Sequence, residues 1–204
     1  SEHTYADNPS GSETTYPVSV ELSYNSELFL TGATLATIAN VDPSITPSAS
    51  QTATAGSSKS FTLGSFIDPG FTFASTSETF TATVNWGDGT SAESISPTVT
   101  NGSVGTATSG SLPSTSHIYA TAGTYTVTVA VSDDDGGTDS KTFDVVVSAP
   151  AISISSISGD EGELITLNAS AAGLDTSQTY TADITWGDGT TTTGIATAVS
   201  GSDV

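Results

Sequence analysis

The chain has 204 residues, with 22 acidic and 2 basic side chains and a net charge of −20. So few cations exclude nucleic acid, whose phosphates need clustered Lys and Arg, and disfavour an anionic membrane surface; hard divalent cations are the favoured charged partners. There is no cysteine, hence neither a disulfide nor a thiolate metal site.

A plainer role for the acid is solubility of a surface poor in lysine. No methionine occurs, not even at the start, and neither a secretory leader nor an apolar run of about 18 residues is read. The sequence is therefore expected to be an excised or processed piece of a longer product without membrane insertion. Apolar residues alternate with Thr and Ser, the period of two that marks half-buried strands, and Thr suits their solvated face.

In chain order, His3-Thr4-Tyr5 precedes a turn-like Asp7-Asn8-Pro9-Ser10-Gly11. Tyr16, Val18, Val20 and Leu22 then alternate as one inward set, Tyr24-Asn25-Ser26-Glu27 makes a turn, and a strand is expected around 33–41 before the linker Asp42-Pro43. A strand around Ile45 and another at Ser60-Phe61-Thr62-Leu63 lead to the turn Asp68-Pro69-Gly70, where proline fixes φ. Phe80, Ala82, Val84 and Trp86 face one way, and Gly87-Asp88-Gly89 turns the chain. Residues 91–116 are rich in Ser, Gly and Thr and read as two weak strands and a long hairpin. After His117-Ile118-Tyr119 come the inward set Tyr125, Val127, Val129 and Val131, the acidic turn Asp133-Asp134-Asp135-Gly136-Gly137, and a strand over 143–147. Then Ile152 and Ile154 open a further stretch, Asp160-Glu161-Gly162 turns, and a strand is expected over 164–167. Tyr180, Ala182, Ile184 and Trp186 repeat the Phe80 to Trp86 pattern one hundred residues on, followed by a second Gly187-Asp188-Gly189-Thr190.

The motifs WGDGT, H-x-Y, GTYTVTV and DDDGG stand in one order, and that set resembles the polycystic kidney disease (PKD) domain, an immunoglobulin-like β-sandwich common on cell surfaces. The resemblance implies an all-β chain of tandem immunoglobulin-like sandwiches: the C-terminal half of one domain in 1–43, a complete domain in 44–149, and the N-terminal half of another in 150–204. A half-sandwich leaves an apolar face and open strand edges, so each end piece is expected to need a partner. The two are complementary, one carrying H-x-Y and the other WGDGT. Either the chain is a window on a long tandem array, or copies join head to tail by completing each other's sandwich. Both imply a non-enzymatic structural module of a bacterial or archaeal extracellular filament, adhesin stalk or surface layer, its partners being copies of itself or neighbouring repeats. The rival is an accessory module of a secreted enzyme that binds carbohydrate, such as surface polysaccharide, or protein. It needs an exposed aromatic row, for which Phe29, Phe71 and Phe73 are the unassigned residues.

The motifs themselves read mostly as structure. Trp86 fills a core, its glycines turn the chain, and Asp88 accepts backbone N–H bonds, with Asp188 doing likewise. His117 and Tyr119, and His3 and Tyr5, lead into core strands, and no nucleophile at diagnostic spacing joins them. Asp133, Asp134 and Asp135, with Asp68, are the candidate calcium ligands, since successive carboxylates repel unless solvated or neutralised. A solvated hairpin turn is the plain alternative. Calcium-binding relatives in the family, which use acids near domain ends, add weight, and Asp160 and Glu161 are further acids in turns. Asn101-Gly102-Ser103 and Asn168-Ala169-Ser170 fit the glycosylation pattern, making Asn101 and Asn168 candidate acceptors.

Overall fold

A computed structural model describes residues 2–8, 13–74, 76–174 and 179–196. The expected turn at Pro9-Ser10-Gly11, the side chain of Phe29 and both extreme ends fall outside the described residues. Every regular element among those described is a strand: β1 (Glu13–Tyr24), β2 (Glu27–Ala39), β3 (Ser44–Pro47), β4 (Gln51–Thr54), β5 (Lys59–Phe61), β6 (Gly64–Asp68), β7 (Phe80–Asn85), β8 (Glu93–Ile95), β9 (Thr98–Thr100), β10 (Thr108–Ser111), β11 (Thr115–His117), β12 (Gly123–Asp133), β13 (Thr138–Ser148), β14 (Ala151–Ile154), β15 (Ala169–Ala172), β16 (Thr181–Thr185) and β17 (Thr191–Ala196). An all-β, immunoglobulin-like sandwich architecture follows, as the alternating pattern requires. Residues 91–116 form four short strands rather than two, because their small side chains support only brief pairings.

One sheet runs β3-β6-β10-β9 and another β4-β13-β12-β7-β8. By its contacts the chain divides into two compact units. The first comprises Ser1–Ala49, Thr62–Thr115 and Thr126–Phe143. Here β12 pairs antiparallel with β7, Val129 opposite Val84 and Val131 opposite Ala82. The inward side chains Phe66, Val84, Trp86, Val127, Val129 and Val131 are all buried. Gly110 is required by space, since a Cβ there would lie 2.0 Å from the Phe66 ring.

The same unit holds the long β1–β2 hairpin, closed by a two-residue turn with Asn25 and Ser26 both left-handed (φ 50° and 64°), the geometry that matches strand twist. Its sheet has only these two strands among the described residues. Apolar alternation is present, yet Val20 is 68% exposed where its counterpart Val129 is 0%. Leu22, Leu30 and Leu35 are exposed too.

The second unit comprises Ser50–Phe61, Ser116–Tyr125 and Asp144–Val204. Strand β4 pairs parallel with the end of β13, Ala53 opposite Val147. Tyr119 is buried, edge-on to Phe61 and stacked on Tyr125 at 4.4 Å. The Tyr125 hydroxyl donates to the Thr121 carbonyl at 2.9 Å. In β16–β17, Ala182 stands opposite Ile195 as Ala82 stands opposite Ile95 in β7–β8. The strand expected over 164–167 does not form: those residues pair with nothing regular, and Leu164 is exposed. An apolar run without a facing layer gains nothing by extending into a ladder.

The first unit contains a copy of the tyrosine arrangement seen in the second. Tyr5 stacks on Tyr16 at 4.8 Å, His3 meets Tyr5 edge-on, and the Tyr16 hydroxyl donates to the Asp7 carbonyl at 2.8 Å. His117 meets Tyr119 in the same way.

Candidate functional site

Three strands of the first unit end their inward series in an acid. On β6, Phe66 is followed two residues on by Asp68, and on β12, Val127, Val129 and Val131 are followed by Asp133 and, past the strand, Asp135. Ahead of β7, Glu78 precedes Phe80 and Ala82 in the same alternation. The period of two that buries valines therefore also buries carboxylates.

Asp133 organises the turn. Its Oδ1 accepts N–H bonds from Asp135 at 3.0 Å and Gly137 at 2.7 Å, and its Oδ2 accepts from Asn40 Nδ2 at 2.8 Å. Asp134 faces out and accepts from the Thr79 N–H at 2.7 Å. Asp68 Oδ1 accepts from the Gly70 N–H at 2.6 Å. Gly70 is itself pinned by Thr108, whose hydroxyl donates to its carbonyl at 2.5 Å. Asp68 Oδ1 and Glu78 Oε2 both lie within 3.0 Å of the point where a Cβ on Gly70 would sit.

Asp7 arrives from the N-terminal stretch, which is tied down by the Phe71 N–H donating to the Ala6 carbonyl at 2.8 Å. Asp42 Oδ1, Asn40 Nδ2 and Asp133 Oδ2 crowd the Cα of Gly137, each within 2.9 Å of its Cβ position. A cleft of about 210 Å³ is lined by Tyr5, Asp7, Asn40, Pro69, Gly70 and Glu78 among others.

Asp7, Asp68 and Asp135 are each 6% exposed or less. In each, Oδ2 is buried without a hydrogen-bond donor. Asp7 and Asp135 turn carboxyl groups toward each other. Burial pushes Asp68 up to about 6, helped by the charges of Asp133, Asp7 and Asp42. Burial likewise raises Glu78 to about 8, with Asp68 the leading neighbour. Asp135 rises to about 7 through burial and then the facing Asp7. Every charge that acts on these three acids is another carboxylate. Lys141 is engaged elsewhere, with Asp139 at 2.8 Å. Among the described residues no group of three Asp, Glu or His side chains stands already arranged as a metal ligand set.

Of the predicted ligands, the structure gathers Asp68, Asp133 and Asp135 at one end and points Asp134 away. Asp160 and Glu161 are exposed in their own turn. Sequence reading missed Asp7, Asn40, Asp42 and Glu78. Glu78 alone had a signal, its parity with Phe80 and Ala82. Asn101 uses both side-chain atoms on Thr72, accepting from its N–H at 2.7 Å and donating to its carbonyl at 3.0 Å. Asn168 is exposed. Phe71 is buried, so of the aromatics that a binding face requires, Phe73 stands exposed without it.

The fold defines a β-sandwich module whose WGDGT and H-x-Y motifs form turns and core. The PKD domain family model matches residues 44–146, half of the chain, and the chain belongs to that family. PKD domains are extracellular adhesion or structural modules, usually surface-exposed and typically non-catalytic. A solved structure, described as that of mouse clustered PcdhgC3 EC1-3, is 15% identical, with 77% of this chain and 54% of that chain covered at a TM-score of 0.29. This chain thus spans about half the length of that structure. No curated protein matches it. Among the described residues no helix is long and apolar enough to cross a membrane.

Proposed function

We propose that the chain is a structural repeat of an extracellular filament, stalk or surface layer, and that residues 2–43 and 150–196 are complementary parts of one PKD sandwich, completed between neighbouring repeats or copies. The observation that carries this is a pair of hairpins with intact-domain geometry and open faces. Strands β16–β17 match β7–β8 where Ala182 faces Ile195, slip by one residue at a bulge before Ile184, and among the described residues leave the edge of β16 that in β7 pairs with β12. Strand β1 carries the tyrosine arrangement found at the start of β12, and its inward Val18, Val20 and Leu22 are exposed. Transferring the β7–β12 register places Val20 opposite Ile184 and Ser19 opposite Thr185 of the neighbour. Burying such Val, Leu and Ile side chains contributes about 1.5–3 kcal/mol each, ample to drive the union. Joining one copy's end to the next copy's start is a heterologous contact that propagates into a fibre.

The chain has no cysteine, so Ser19→Cys with Thr185→Cys is a clean test. Facing residues on antiparallel strands are about 4.5–5.5 Å apart at Cα, within disulfide reach. Under oxidation the double variant should give a ladder of multimers on a non-reducing gel, with neither single variant passing dimer. A double variant that stays monomeric, or closes on itself, overturns the reading. The accessory-module reading, with a polysaccharide or protein ligand, has Phe73 exposed in its favour and Phe71 buried against it, and stands second.

A further inference from the structure

We infer that copies of this chain join through a second seam, in which residues 165–167 of one copy become a strand against Glu2-His3 of the next, and Leu167 packs on that copy's Tyr5. This rests on the proposed union of β1 with β16 and extends it to stretches outside both hairpins. The complete domain supplies the template. There β5 pairs with β11 in a two-stranded sheet. Phe61 of β5 lies edge-on to Tyr119 at 5.9 Å, and the Gly56 N–H donates to the Tyr119 carbonyl at 2.8 Å. Phe61 is 0% exposed and Tyr119 1%.

Both sides of that arrangement recur, one in each end piece. In the C-terminal piece the Glu163 N–H donates to the Asp160 carbonyl at 3.1 Å, as the Ser57 N–H does to the Thr54 carbonyl at 3.2 Å. Gly162 and Gly56 hold the same place in these two turns, both left-handed, with φ 88° and 79°. Counting on from the two glycines, Ile165-Thr166-Leu167 stands where Lys59-Ser60-Phe61 stands. In the N-terminal piece His3 meets Tyr5 edge-on at 4.8 Å and 89°, as His117 meets Tyr119 at 4.8 Å and 82°. Glu2 and His3 therefore stand where Ser116 and His117 stand on β11. What differs is cover. Leu167 and Tyr5 are each half-buried, Ile165, Glu2 and His3 are exposed, and neither stretch lies in a strand. Each end thus carries one side of the β5–β11 ladder, and a second copy offers the other, with Tyr5 already stacked on Tyr16 as Tyr119 is on Tyr125. The same count sorts two leucines. Leu164, 95% exposed, stands where the exposed Ser58 stands and lies outside the seam, whereas Leu167 lies inside it. The strand that does not form over 164–167 is then one that assembly makes. Its ordering opposes docking, so the seam closes after β16 has met β1 and brought the two stretches together.

The test uses two whole chains, one with Ser19→Cys and one with Thr185→Cys, mixed in equal amounts and oxidised. The dimer between them reports the β1–β16 contact by itself. Leu167→Asp in the Thr185→Cys chain should lower the yield of this dimer by about tenfold or more, the scale of one leucine left unburied. The same substitution in the Ser19→Cys chain should leave the yield unchanged, because the seam then uses the other copy's Leu167. Leu164→Asp should leave it unchanged in either chain. Hydrogen exchange needs no seam variant: with the Thr185→Cys copy isotope-labelled, its Ile165, Thr166 and Leu167 amides should exchange about tenfold more slowly in the dimer than in the separate chain. A full yield with Leu167→Asp in the Thr185→Cys chain, or amides that exchange alike in dimer and separate chain, overturns the seam while the β1–β16 union stands. An equal loss whichever chain carries Leu167→Asp, or a loss as large from Leu164→Asp, overturns it too. Failure of the two cysteine chains to form any dimer overturns both.

Discussion

Trp86 and Trp186 sit in turns built alike. In each, the aspartate two residues on accepts from the threonine N–H and hydroxyl, at 3.0 and 2.6 Å for Asp88 with Thr90 and at 2.8 and 2.6 Å for Asp188 with Thr190. Each indole N–H finds a partner on the next strand, Glu93 at 3.0 Å and Thr192 at 2.9 Å. Yet Trp86 is 0% exposed and Trp186 38%. The turn is therefore local chemistry, complete within a few residues, while the burial of its tryptophan depends on what lies beyond the hairpin. In the first unit β12 continues the sheet beside β7. For β16 the matching strand is the one that the proposed neighbour would bring.

Removing each tryptophan breaks this comparison most directly. Trp86→Ala should cost about 3–5 kcal/mol, the usual loss for a fully packed aromatic, and melt the first unit. Trp186→Ala should cost about 1 kcal/mol in the dispersed chain, in proportion to the lesser area it hides. The chain holds only 2 tryptophans, so each variant leaves one fluorophore and denaturant titration follows each region separately. Equal losses would mean that Trp186 already lies in a closed core. Under conditions where Ser19 and Thr185 cross-link, the cost at Trp186 should climb toward that at Trp86.

The glycines that follow sharpen the contrast. Gly87 and Gly187 both have left-handed backbones, φ 76° and 86°. An alanine at either carries the left-handed penalty of about 1–2 kcal/mol. At Gly87 the new Cβ would also lie 2.4 Å from the Thr126 carbonyl oxygen, whereas nothing lies within 4 Å at Gly187. Backbone cannot step aside, so Gly87→Ala should cost about 3 kcal/mol or more, at the top of the range for strain and overpacking. Gly187→Ala should cost only the conformational part. Similar losses at both, read from thermal midpoints, would mean that β12 yields without effort.

These pairs also show where sequence is legible. The WGDGT turn, the inward Val127, Val129 and Val131, and the existence of a turn at Asn25-Ser26 follow from residues next to one another, and pattern alone finds them. The acidic turn was harder. Three aspartates in a row read as candidate calcium ligands or as a solvated hairpin tip, but parity continues through them, so Asp133 and Asp135 point in with the valines and Asp134 points out. Glu78 obeys the same parity, two residues ahead of Phe80 and four ahead of Ala82. Asp7 and Asp42 carry no local signal at all. Their place beside Asp135 and Gly137 depends on where the N-terminal stretch and the linker lie, which is a matter of tertiary packing. The failed strand over 164–167 has the same cause, an apolar pattern without the layer that would reward it.

The smallest difference concerns the two corner tyrosines. Tyr16 and Tyr125 each donate a hydroxyl to a main-chain carbonyl, that of Asp7 at 2.8 Å and that of Thr121 at 2.9 Å. Burial, and next the Asp7 charge, raises the Tyr16 pKa, which keeps this phenol a donor. Replacing either by Phe deletes one neutral hydrogen bond and should cost about 1 kcal/mol. The Tyr125 hydroxyl also shares a hydrogen bond with the Thr121 hydroxyl at 2.8 Å. Tyr125→Phe should therefore lower the thermal midpoint slightly more than Tyr16→Phe. Equal midpoints would mean that the Thr121 hydroxyl finds water as good a partner.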